Sequence, residues 1–204
     1  MRKAVLAICL AISVFGFALE SRASVVDFES LYHDDGDIVD HGRVYEEDGF
    51  VLTNLGGVGS SLSASFATLG AQLDGLYTGS TALLNDNDNG ATLLTSVGGL
   101  AFTLSSIDLA ELFAADVTFD VTFTGYLTSG GIVSQTFILD GLFGAQTFEF
   151  GSDFTDLAFV IWTQTPEYHQ FDNIVASAVP IPGAVWLLGS GLLGLIGFRR
   201  RLHH

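Results

Sequence analysis

From Val117 onward the chain alternates apolar and polar residues: Val117, Phe119, Val121 and Phe123 interleave with Thr118, Asp120, Thr122 and Thr124. A period of two predicts a half-buried strand, because helical apolar positions recur every three or four residues. The pattern resumes at Val133, Gln135, Phe137 and Leu139, after the hairpin turn sequence Ser129-Gly130-Gly131. Phe148 and Phe150 flank Glu149 in a further short strand, and the apolar run Leu157 to Trp162 reads as a strand covered on both faces. Earlier strands are predicted at Val25–Glu29, Gly49–Thr53, Leu62–Phe66, Ala91–Thr95, Leu100–Leu104 and Ile107–Phe113. Turn sequences at Gly56-Gly57, Asp74-Gly75, Asn85 to Gly90 and Gly98-Gly99 separate them. About ten short strands so spaced predict an all-β fold, an antiparallel β-sandwich or jelly roll.

The two ends follow another pattern. Arg2 and Lys3, the apolar run Ala4 to Leu19, and Ser21-Arg22-Ala23 predict a signal peptide over residues 1–23, cleaved after Ala23. At the other end, Gly183 to Phe198 is free of charge and ends at Arg199, Arg200 and Arg201. As a helix this segment would be about 24 Å long at ~1.5 Å per residue, against roughly 30 Å of hydrocarbon. It is predicted as a single short transmembrane helix, with the arginines as a stop-transfer signal on the cytoplasmic side. The predicted organisation is a signal peptide (1–23), a β-sandwich ectodomain (24–176) and a C-terminal segment (177–204). That segment comprises a proline motif (179–182), the helix (183–198) and a basic tail (199–204).

Charge sharpens the picture. Apart from the two ends, the chain has 22 carboxylates and one cation, Arg43, for a net charge of −21. A body this acidic repels nucleic acid and anionic lipid, so neither is an expected partner. The single cysteine, Cys9, lies in the signal peptide, so the body has no disulfide and no thiolate metal site.

The order of motif, apolar span and basic tail carries a resemblance. Val179-Pro180-Ile181-Pro182, followed by Gly183 to Leu195, resembles a PEP-CTERM sorting signal of the VPLPA-CTERM variant. Val179, Pro180 and Pro182 match the motif, whereas Ile181 and Gly183 depart from it. The resemblance implies an exported protein of a Gram-negative, exopolysaccharide-producing bacterium. It also implies a precursor held transiently in the inner membrane, with its C-terminus cytoplasmic. An exosortase-type membrane protease-transpeptidase would process it, leaving the mature form at the cell surface or in the extracellular matrix. Asp27-Phe28-Glu29, Gly125-Tyr126 and Phe171-Asp172-Asn173-Ile174 resemble jelly-roll ectodomains similar to carbohydrate-binding modules. That likeness implies a structural Ca²⁺ between the first and last strands, with Asp27, Glu29 and Asp172 at the matching positions, and His33 to Asp37 nearby. Hard oxygen donors suit this ion.

Candidate chemistry beyond this is sparse. Asn85-Asp86-Asn87-Asp88-Asn89-Gly90 alternates oxygen side chains as a Ca²⁺ loop does, but Ser96 stands where an EF-hand needs glutamate, and an Asx-rich turn explains the sequence. No catalytic residue is predicted: there is no nucleophile elbow and no zinc-protease motif, and His33, His41 and His169 lack metal-ligand spacing. Adjacent carboxylates at Glu46-Glu47-Asp48 diverge, whereas glycoside hydrolysis needs two that face each other. Tyr77, Tyr126, Trp162 and Tyr168 are candidates for stacking on sugar rings. The expected function is a structural or glycan-binding surface module, an exopolysaccharide or other glycan being the expected ligand. The alternative is a secreted glycoside-type hydrolase.

Overall fold

A computed structural model describes residues 23–57, 64–113, 117–165 and 167–178. The signal peptide up to residue 22, the motif Val179 to Pro182, the predicted membrane helix and Arg199 to Arg201 lie outside them. Ala23 is exposed, one residue before the first strand.

The described chain is all-β, as the alternation predicts. Its strands are β1 (Ser24–Val26), β2 (Ile38–Gly42), β3 (Val44–Glu47), β4 (Phe50–Asn54), β5 (Phe66–Leu69), β6 (Leu83–Asn85) and β7 (Ala91–Ser96). They continue as β8 (Phe102–Glu111), β9 (Phe119–Leu127), β10 (Ile132–Leu139), β11 (Gln146–Glu149), β12 (Leu157–Thr163) and β13 (His169–Ala178). All pairings are antiparallel. One sheet runs β2-β5-β6-β13-β8-β11, and the other runs β3-β4-β7-β12-β9-β10. A single residue pair, Leu157 with Phe102, joins them. The result is a β-sandwich of jelly-roll type.

β13 is the central strand of the first sheet. It pairs with β8 along one edge, while β1 and β6 share the other. Sequence periodicity does not reveal it as a strand. The register shifts between Asp172 and Val175, and Asn173 has φ 46°, so a bulge interrupts the alternation. Its partner β8 is continuous through Ser105-Ser106, where the sequence pattern predicts a break.

An aromatic layer fills the space between the sheets. Phe171 on β13 packs edge-on against Trp162 at 5.2 Å, Phe28 at 5.9 Å and Phe66 at 6.3 Å. Phe123 meets Trp162 at 5.1 Å, Phe150 at 5.2 Å and Phe137 at 5.6 Å. Offset and edge-on pairs at such distances each add about 0.5–1.5 kcal/mol to the area they bury. Trp162 is therefore core, not a sugar-stacking surface. Phe171→Ala would leave a cavity where four rings meet and is expected to lower stability by about 3–5 kcal/mol. Urea denaturation with tryptophan fluorescence measures that loss. Phe171→Leu, which refills part of the volume, is expected to lose less.

Candidate functional site

The run Leu157 to Trp162, predicted as covered on both faces, is covered on one. Leu157, Val160 and Trp162 point into the core, while Phe159 and Ile161 stay half-buried on the outer side. Those two begin a continuous outer face on the second sheet. Cross-strand register aligns Val44, Thr53, Leu93, Ile161, Thr124 and Ser134 in one row over six strands, about 24 Å at ~4.8 Å per strand. None of the six is charged. Beside the row, Tyr126 lies opposite Phe159, their rings stacked at 4.4 Å with 20° between planes. Thr122 and Thr136 share a hydroxyl hydrogen bond at 2.8 Å. Among outward-facing strand positions here, Glu46 and Asp120 alone carry charge. On so acidic a body, this surface is set apart: poor in charge, aromatic and rich in hydroxyl groups.

The acidic seam on the first sheet is built differently. Glu47 on β3, at the edge of the second sheet, accepts backbone N–H bonds from Asp27 and Phe28, both 3.0 Å, and so pins the chain after β1, where Phe28 has φ 56°. Glu46 points outward and Asp48 occupies a turn at φ 47°, so this carboxylate trio diverges. Asp27 Oδ1 accepts from the Glu29 N–H at 3.1 Å. Glu29 accepts from the Thr81 N–H at 3.0 Å and the Thr81 hydroxyl at 3.2 Å. Asp172 accepts from the Ser80 hydroxyl and from the Asn173 N–H. Glu29 and Asp172 thus share a seam, also reached by Asp108, whereas Asp27 turns back onto local backbone. Among the described residues, no group of three His, Cys, Asp or Glu side chains converges so as to hold a metal ion. The three carboxylates as placed do not form the expected Ca²⁺ cage.

Burial acts on two groups in opposite senses. Burial, reinforced by the negative charges of Asp108 and Glu29, pushes the Asp172 carboxyl up to about 6 from its ordinary 3.8. Burial alone pushes His169 down to about 3 from 6.5, and neither ring nitrogen has a partner. Asp172 therefore favours the fold most below pH 3.8, and this contribution is lost as pH rises toward 6. His169 favours the fold fully above pH 6.5 and progressively less as pH falls toward 3. With EDTA present, Asp172→Asn is expected to gain stability on the wild type as pH rises from 4 to 6. His169→Phe is expected to lose less stability than the wild type as pH falls through the same range. Urea midpoints across pH 4–7 measure both, and parallel curves for wild type and variants would contradict them.

Other sequence candidates find plain roles. Asn85 and Asn87 turn inward, where their side-chain oxygens accept from the Asn54 amide, while Asp86 and Asp88 face solvent. That loop is an Asx-rich turn locked by buried amides. Sequence spacing did not connect His33 and His41, but their Nε2 atoms meet at Thr68 Oγ1, at 3.1 and 2.7 Å. His33 Nδ1 lies 2.7 Å from Asp35 Oδ1. Tyr77 is half-buried and near enough to feel Glu29 and Asp172. The signal that could have found the outer face was the apolar parity of β12, Phe159 and Ile161 lying out of phase with Val160 and Trp162.

No protein-family model matches the chain, and no curated protein is similar to it in sequence. Solved structures to which the chain is similar include CBM29_1, a family 29 carbohydrate-binding module from Piromyces equi. It is 15% identical, covers 79% of this chain and 93% of its own, and gives a TM-score of 0.41. Another structure of a family 29 module is 10% identical over 78% of this chain and 90% of its own, with a TM-score of 0.34. The CBM22-1–GH10 modules of Clostridium thermocellum xylanase 10B, complexed with xylohexaose, are 13% identical over 77% of this chain and 28% of theirs, at a TM-score of 0.28.

Proposed function

We propose that this chain is an exported surface or matrix protein whose acidic β-sandwich binds a neutral glycan without catalysis. The observation that carries the reading is the outer face of the second sheet. An extended polysaccharide presents flat apolar patches and many hydroxyls. The stacked Tyr126–Phe159 pair supplies the aromatic surface, and the threonines and Ser134 supply hydroxyl partners. A face whose only charges are the carboxylates of Glu46 and Asp120, on a body of net charge −21, also favours a neutral ligand over an acidic one. The face presents no pair of opposed carboxylates, which a glycoside hydrolase would need.

Export rests on the sequence: the signal peptide ending at Ala23, and the segment Val179 to His204. The proposed fate is processing by an exosortase-type enzyme near Val179 to Pro182, after transient anchoring in the inner membrane. Mass spectrometry of the extracellular protein checks this, because a C-terminus that retains Arg199 to Arg201 would exclude processing.

Affinity electrophoresis against neutral and acidic polysaccharides tests the binding. Retardation by a neutral polysaccharide is expected, weakened at least tenfold by Tyr126→Ala or Phe159→Ala, with the melting temperature measured alongside. No retardation by any polysaccharide, or equal retardation of both folded variants, would remove the proposal. Release of reducing sugar would favour the hydrolase reading instead.

A further inference from the structure

The first sheet also carries a cavity on its outer face, of about 290 Å³. Its size lies at the small end of ligand-binding cavities. Ile38, Leu69, Leu76, Leu84 and Leu112 form its walls. Phe113 and Tyr168 add aromatic surface, and Asp86 is the one charged residue of the lining.

Tyr168 is held there under strain. It has φ 53°, a conformation rare for an aromatic residue. Its N–H donates to the Thr165 carbonyl at 2.9 Å, and its own carbonyl accepts from the Leu112 N–H at 3.0 Å. Backbone strain of this kind persists where surrounding bonds fix it, and it gathers at binding sites.

The electrostatics of the mouth have one sign. Burial, with the negative charges of Asp88 and Asp86 added to it, raises the Tyr168 hydroxyl above its ordinary value, and Asp86 lines the cavity beside Tyr168. Asp40 in turn adds to the burial that raises Asp86. Asp86 makes no ion pair with any described residue. Arg43, the single cation of the described body, has its Nε bonded to the Asn54 carbonyl at 3.3 Å.

We infer that this cavity binds a small cationic amphiphile, one alkyl chain bearing an ammonium head. The alkyl group would lie against the leucine and isoleucine walls. The head would sit at the rim, between the Asp86 carboxylate and the Tyr168 and Phe113 rings, where carboxylate attraction and cation–π contact act together. A fatty-acid anion of the same length would fill the same walls but meet only negative charge. A hydrated sugar would find almost no hydrogen-bond partners. The site is therefore distinct from the glycan-binding face and does not rest on that reading.

Isothermal titration of the purified exported protein with decyltrimethylammonium and with decanoate, both below micelle-forming concentrations, tests the inference. One saturable site for the ammonium is expected, with decanoate at least tenfold weaker. Asp86→Asn is expected to reduce ammonium affinity at least fivefold. Ile38→Trp, at a position 62% exposed on the rim, is expected to block the cavity with an unchanged melting temperature. Equal affinity for the two amphiphiles, or no saturable binding, would overturn the assignment. So would multi-site binding that survives both substitutions, since that describes a counterion atmosphere around an acidic body.

Discussion

Everything in this domain rests on a buried aromatic interface holding together a chain whose charges repel. Twenty-two carboxylates face one arginine, no disulfide is available, and the one ion pair among described residues joins His33 to Asp35. Surface ion pairs contribute little even where they exist. Cohesion must come from burial, and the rings of Phe28, Phe66, Phe123, Trp162 and Phe171 supply much of it. Marginal stability of about 5–15 kcal/mol leaves small room for faults in that layer. It also explains why so many carboxylates accept backbone N–H bonds, as Glu47 and Glu29 do: paired locally, they become part of the frame.

With its interior so constrained, the sandwich varies on its outer faces. The second sheet places nearly all its charges elsewhere and leaves a hydroxyl-rich surface around Tyr126 and Phe159. On the first sheet, the segment between β5 and β6 contributes Leu76 to the apolar cavity that Asp86 also lines, and Ser80 and Thr81 to the carboxylates of Asp172 and Glu29. The same strands that bury phenylalanines inward thus present one surface nearly free of charge and one that is acidic.

Much of the fold was legible because half-buried strands repeat every two residues. β4, β7, β9, β10, β11 and β12 fall close to their predicted positions. β2, β3 and β6 escaped because edge strands such as Ile38–Gly42 and Val44–Glu47 are exposed and need no apolar face, and Leu83–Asn85 is too short to show a period. β13 escaped for another reason: His169, Gln170 and Asp172 are buried polar residues on a bulged strand, and alternation cannot report them. The acidic residues of the site were visible, but not their partners. Thr81 is 52 residues from Glu29, and Ser80 is 92 from Asp172. The Tyr126–Phe159 stack likewise depends on register between strands that a linear reading does not supply.

The position of β13 has a consequence in time. The strand that pairs with β1, β6 and β8 is the last in the described chain and ends at Ala178, one residue before the proline motif. Until it arrives, β1 and β6 have no partner on that edge, and the aromatic layer lacks Phe171. Contacts between such distant segments form late and slowly. A ribosome still holding the residues of β13 therefore holds the domain open. Closure of the sandwich is thus tied to the synthesis of its last described strand, the one that carries Phe171 into the aromatic layer.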